Sequence, residues 1–197
     1  MTPKLTRLRG LALLLVSLVS ASAIGPSKSK EREEVLVLFE QRRVALSVPA
    51  GFVFSSGKSE EGIITAKLND PKETVSLQIS FLPDPHGEFA IARQRKEFIV
   101  RSFQHYVTGS VEQAMQFEEL ESRTGAGTYC VFTDASVVGK TKLPPNEYLN
   151  STTGIKAWRG CCAVFTLMSN GTTSAEYLVA MKILREGLKE LPLTPLL

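Results

Sequence analysis

The side chains best suited to chemistry are few in this sequence: two histidines and three cysteines. His86 lies in Pro83-Asp84-Pro85-His86-Gly87-Glu88, where an imidazole has two carboxylates nearby. A metal centre needs three or four converging ligands. Only one special loop conformation would supply them here, so the segment reads as a surface loop. His105 follows an apolar helical stripe beside Tyr106, and near a helix C-terminus it reads as a solvated or capping residue. Two histidines leave a Ser/His/Asp or Cys/His device short of bases, because the nucleophile needs one within hydrogen-bond reach. Cys161 and Cys162 are adjacent rather than spaced as Cys-x-x-Cys, and strand neighbours point to opposite faces. Two arrangements stay open: buried free thiols, or one bridge from Cys130 to Cys161 or Cys162. Glu118, Glu119 and Glu121 form an acidic cluster that reads as a solvated edge strand, where charge discourages strand addition. Asn150-Ser151-Thr152 and Asn170-Gly171-Thr172 match the N-glycosylation pattern. No catalytic, metal-binding or cofactor-binding residue, and no cofactor, is assigned from these patterns.

The elements that would position such residues begin with an address. Lys4, Arg7 and Arg9 precede an apolar run from Leu11 to Val19, followed by Ala21-Ser22-Ala23. This is the form of a secretory signal peptide cleaved near Ala23. The run is shorter than the roughly 20 residues of a membrane span, so no transmembrane span is expected in the mature chain. The net charge of +3 over the whole sequence falls to about zero once those three cations leave. Nucleic-acid binding, which calls for a basic face, is therefore not expected. The expected division is signal peptide 1–23, flexible leader 24–34, a single domain 35–192 and a tail 193–197.

Within the domain, Gly160 to Met168 organises the rest. Cys161, Ala163, Phe165 and Leu167 alternate with Gly160, Cys162, Val164 and Met168, so both faces are apolar or small, and such a strand needs cover on both sides. Val35 to Phe39 and Arg43 to Val48 read as strands, as do a short piece at Phe52 to Phe54, Gly62 to Asn69, and Val75 to Leu82. Between Glu88 and Val107 the period turns helical, with Ala92, Ile99, Phe103 and Tyr106 on one stripe and Arg93, Gln94, Lys96 and Glu97 facing water. Phe117 to Ser122 and Thr128 to Thr133 form a hairpin. A last helix opens at Thr173, with Glu176 completing a capping box. Its seam of Tyr177, Met181, Leu184, Leu188 and Leu191 runs to Pro192.

The segment from Asp134 to Gly154 reads as one long loop without a strand of its own. Long structureless loops in compact domains are often functional. Lys140, Lys142, Pro144, Pro145 and Tyr148 on this loop are the candidate partner-contact residues.

This order, with its Val48-Pro49-Ala50-Gly51-Phe52 entry, mid-chain helix and final strand–helix pair, resembles the PsbP/Mog-type superfamily. That group includes extrinsic photosystem II subunits, a Ran-binding protein and many exported bacterial proteins. The resemblance implies an α+β domain, an α/β/α sandwich around a mostly antiparallel sheet. It also implies a secreted or periplasmic, non-enzymatic binding or assembly module that meets a protein or envelope component. The competing expectation is a small secreted hydrolase-type enzyme.

Overall fold

The computed structural model describes residues 30–192. The expected signal peptide, most of the leader and the tail lie outside them. The chain is α+β, and every strand pairing is antiparallel. It opens with β1 (Arg32–Val37) and β2 (Arg43–Val48). β1 starts inside the segment expected to be leader. Glu40 and Gln41 turn the chain between these strands at positive φ. A meander follows: β3 (Val53–Lys58), β4 (Ile64–Asn69) and β5 (Val75–Asp84). β3 runs on through Ser55 to Lys58, beyond the short piece expected at Phe52 to Phe54. β5 continues through Pro83, and it can do so because β4 pairs only as far as Phe81. Beyond that point the strand has a free side, where a missing N–H is tolerated.

The expected five-turn helix is broken. A 3-10 turn at Glu88–Ala90 precedes α1 (Ala92–Phe103) and α2 (His105–Gly109). Next come β6 (Glu118–Leu120), β7 (Ala126–Thr133), β8 (Asn150–Trp158) and β9 (Gly160–Ser169). The loop expected from Asp134 to Gly154 ends at Leu149. Asn150 to Gly154 are buried and form the first half of β8. Their polar side chains hid a strand whose backbone is paired on both sides. β8 and β9 are two strands reversed at Arg159-Gly160, where Gly160 adopts φ 82° and a Cβ would collide with the Arg42 guanidinium.

The final helix is also shorter than its apolar seam suggests. Ser174, not Thr173, caps α3 (Ala175–Lys182), its hydroxyl accepting from the Tyr177 N–H at 3.1 Å. Glu176 instead pairs with Lys72, and Leu178 is exposed. A π turn at Ile183–Gly187 ends the helix, and Leu188–Leu191 becomes β10.

The strands form a seven-stranded sheet, β3-β4-β5-β9-β8-β7-β6, and a three-stranded one, β1-β2-β10. One face of the large sheet carries Leu77, Ile79, Phe81, Ala163, Phe165 and Leu167 against the small sheet and α3. The opposite face packs Cys130, Phe132, Ile155, Ala157 and Cys162 under Ile99 and Phe103 of α1. β9 is an inner strand, as its alternation required. No helix among the described residues is long and apolar enough to cross a membrane.

Two buried cations join these layers. Arg95, on α1, donates to Thr128 Oγ1 (2.8 Å), to the carbonyls of Phe89 (3.0 Å) and Ala90 (2.9 Å), and to Glu119 (2.9 Å). Lys156 on β8 is fully buried. Its ammonium donates to Thr124 Oγ1 and the Leu184 carbonyl at 2.8 Å, and to the Arg185 carbonyl at 3.2 Å. It also lies over the Trp158 ring.

Burial pushes Lys156 down from 10.5 to about 8. The unfolded chain then holds this proton across a pH range in which the folded chain has lost it, so the lysine makes stability rise with pH from about 8 upward. The thiols act oppositely: burial raises all three, while unfolded cysteines ionise near about 8.5. Three thiols outweigh one lysine, so stability in urea should be nearly flat up to about pH 7.5 and fall above it. In Lys156→Met the opposing contribution should vanish, so the fall should begin at lower pH and be steeper. The variant should also be about 1–3 kcal/mol less stable at pH 7, with carbonyls left unpaired. Parallel pH profiles for the two proteins would show that Lys156 does not titrate with folding.

Candidate functional site

On the α1 face of the large sheet, register aligns Phe132 with Ser151, Ser151 with Met168, and Met168 with Ser76. α1 covers the β7–β8 side of this face and leaves the β9–β5–β4–β3 side open. Val164, Thr166 and Met168 on β9 are half-buried, and Gln78 and Lys67 beyond them are exposed. Where covered and open halves meet, α2 and the 134–149 loop overhang the Phe132–Ser151–Met168 row. They enclose a cleft of about 160 Å³.

Its walls follow from local chemistry. After α2 the chain bends back along β7, with Val111 N–H donating to the Thr133 carbonyl at 2.8 Å. Glu112 accepts from Thr133 N–H and Oγ1 at 2.8 and 2.7 Å. Burial opposes ionisation of Glu112, but these hydrogen bonds outweigh it and hold the carboxyl below its usual range. Tyr106 stacks on Phe132 with ring centroids 5.7 Å apart, and His105 lies against Tyr106 at 4.3 Å. The loop is closed at its base by Asp134 N–H donating to the Leu149 carbonyl at 2.9 Å. Asp134 uses Oδ1 to accept from Ser136 N–H at 2.8 Å.

Tyr148 lines the cleft from the loop side. Its hydroxyl is raised above the usual value, by burial first and then by the carboxylates of Glu73 and Asp70, against a hydrogen bond from Ser76. Ser151 is 6% exposed and lines the same cleft, yet its Oγ has no hydrogen-bond partner. Thr153 Oγ1, one step further along this face of β8, is likewise buried and unpartnered.

Of the residues singled out from sequence, Tyr148 and His105 are brought together here, while Lys140, Lys142, Pro144 and Pro145 stand exposed on the loop. His86 is exposed, and its neighbour Asp84 caps the following turn by accepting from Glu88 and Phe89 N–H. Among the described residues no group of three or more His, Cys, Asp or Glu is placed to hold a metal. Glu118 accepts from Tyr129 at 2.5 Å, and Glu119 pairs with Arg95 on the edge strand β6. Asn150 is buried within β8 and donates to Thr133 Oγ1, which removes it as a glycosylation acceptor in the folded chain. Asn170 is exposed. Sequence reasoning missed Ser151, Asp134 and Met168, and only the β-branched content of Ser151-Thr152-Thr153 hinted at a strand there.

All three cysteines are free and buried. Cys161 faces the small-sheet core and Cys162 the α1 core. β8 separates β7 from β9, so Cys130 lies two strand spacings, roughly 9–10 Å, from β9. A disulfide needs its Cα atoms within about 7 Å, so this fold does not bridge Cys130 to Cys161 or Cys162. A wider depression of about 530 Å³ lies on the outer side of α1, lined by Arg93, Lys96, Glu97, Val100, Arg101 and Phe117.

No family model, curated protein or solved structure matches this chain. The class of molecule that the fold defines is an α+β domain of two antiparallel sheets, with one sheet face half open.

Burial pushes Cys130 up to about 11 and Cys161 to about 12, and raises Cys162 further. Folded protein prepared without reductant should resist a thiol reagent at pH 8, since the thiolate is the reacting form. In denaturant it should label at all three positions. Labelling at one position only would indicate a bridge and a different strand arrangement.

Proposed function

We propose that the chain is an exported binding or assembly module of the PsbP/Mog type, an α/β/α sandwich that engages a protein or envelope component. The engaging surface is the cleft together with the 134–149 loop. The observation that carries this reading is the cleft's position: it opens at the border of a sheet face that α1 leaves half uncovered, beneath the loop that bears Tyr148. An open, partly apolar face with a polar rim suits macromolecular contact.

The loop is prepared for that role. Its base is tied by Asp134 and Leu149, and Lys140 N–H and Glu147 N–H close turns onto the carbonyls of Val137 and Pro144. Pro144-Pro145 restrict the chain further, which reduces the ordering cost of association. Lys140 and Lys142 extend the surface with exposed positive charge, which favours encounter with an acidic partner surface.

Replacing residues 139–146 with a short Gly/Ser linker keeps buried Val137 and the base of the loop. Loop closure changes by only ~0.6 kcal/mol per doubling of length, so the melting transition should move little. Capture of the partner from an envelope fraction should fall at least tenfold, by comparison of cross-linked yields with wild type. Undiminished capture by a folded variant would overturn the reading. Export has its own measurement: the secreted protein should show an intact mass lacking Met1 to Ala23, and a full-length mass in the membrane fraction would contradict it.

A further inference from the structure

The cleft reads one kind of group more readily than others. Three aromatic rings, Tyr106, Phe132 and Tyr148, line it together with the Met168 thioether. Asp134 has one carboxylate oxygen left after Ser136. The Ser151 hydroxyl is buried and unpaired. No lysine or arginine lines the cleft, and the charges acting on Tyr148 are the carboxylates Glu73 and Asp70. A buried hydroxyl without a partner costs free energy until something reaches it.

We infer that the cleft receives a cationic side chain of the partner, an arginine guanidinium, laid against the aromatic rings with its N–H groups directed at Ser151 and Asp134. A guanidinium carries five donors and no acceptor, which complements this set of oxygens. Planar cations also favour aromatic faces in a partly desolvated site. The size agrees, since an apolar cavity of about 150 Å³ takes a benzene-sized ring. This inference rests on the binding reading and specifies the chemistry that the partner presents to the same surface.

The probe is N-acetyl-arginine methylamide, titrated into the folded mature protein and followed at the Met168 methyl resonance. Met181, sealed in the opposite core, serves as the internal reference. N-acetyl-citrulline methylamide has nearly the same shape without the charge. The arginine probe should shift Met168 saturably and leave Met181 unmoved, with citrulline binding about tenfold weaker. Asp134→Asn and Ser151→Ala should each weaken the arginine probe several-fold. Ser151→Ala should leave the melting temperature unchanged or higher, because it removes an unpaired buried hydroxyl. No saturable shift, or equal shifts with both probes, would overturn the inference. If the loop variant still lost its partner in that case, the binding reading would stand while the arginine assignment fell.

Discussion

A single ammonium group fixes how the layers of this domain close. Helix ends leave carbonyls without donors, and α3 finishes inside the protein, where water cannot supply them. Lys156 reaches from the middle of β8 to the carbonyls of Leu184 and Arg185. Thr124 donates to Leu188, and Ser122 donates to Arg185 at 2.5 Å. With those acceptors satisfied the chain leaves the π turn and pairs as β10 with β2. Burying the charge is costly. The hydrogen bonds, and the negative end of a helix that favours a cation, offset that cost. A second link ties the same layers, since Arg42 donates to the Arg159 carbonyl at 2.9 Å and pairs with Glu190 on β10 at 2.5 Å.

The consequence is an asymmetry between the two faces of the large sheet. On one face the small sheet and α3 are held down, and residues such as Leu68, Leu77, Ile79 and Leu167 are fully buried. On the other face α1 covers the β7–β8 side, with α2 and the 134–149 loop over the cleft, and Arg95 holds α1 in place. That guanidinium lies inside the domain and binds at once the turn before α1, a hydroxyl on β7 and a carboxylate on β6. α1 is thus pinned toward the β6–β7 edge rather than centred on the sheet. The strands β9, β5, β4 and β3 then present side chains that no element of the described fold covers completely.

These controlling residues explain what was legible in the sequence. β9 could be read because both of its alternating sets are apolar, and β5 because Val75, Leu77, Ile79 and Phe81 alternate with polar neighbours. The reversal between the strands expected at Val35 to Phe39 and Arg43 to Val48 also followed from pattern. Arg95 and Lys156 could not be read, because charged residues are almost never fully buried unless paired and their partners here are distant in sequence. The same blindness misplaced the end of the last helix. Leu184, Leu188 and Leu191 keep a helical spacing, but Leu184 and Leu188 reach the core by a turn and a strand instead, Leu191 ends half-buried on β10, and Gly187 was the local signal of the break. The loop before β8 was overextended for the opposite reason: Asn150-Ser151-Thr152-Thr153 is polar, yet it is buried by its position between β7 and β9 rather than by its composition. Tyr148 was singled out from the loop by sequence, whereas its neighbours in the cleft come from four other elements.

The composition of the open face bears on function through its cost. A domain that buried both faces for stability alone would place Val, Ile or Leu at Thr166 and Ser76, as β9 and β5 do on their other face with Leu167, Val75 and Leu77. Instead this face keeps hydroxyls, and two of them, on Ser151 and Thr153, are buried without partners. Each unpaired hydroxyl costs about 1–3 kcal/mol relative to a satisfied one, a sizeable share of the roughly 5–15 kcal/mol that holds a domain together. Under the binding reading proposed above, Ser151 at the edge of the cleft would regain that energy when a partner supplies a donor, whereas Thr153 lies outside the cleft. The packed face is not free of the same cost, since the Ser169 hydroxyl on β9 is also buried without a partner; what distinguishes Ser151 is that it alone of these hydroxyl residues lines the cleft.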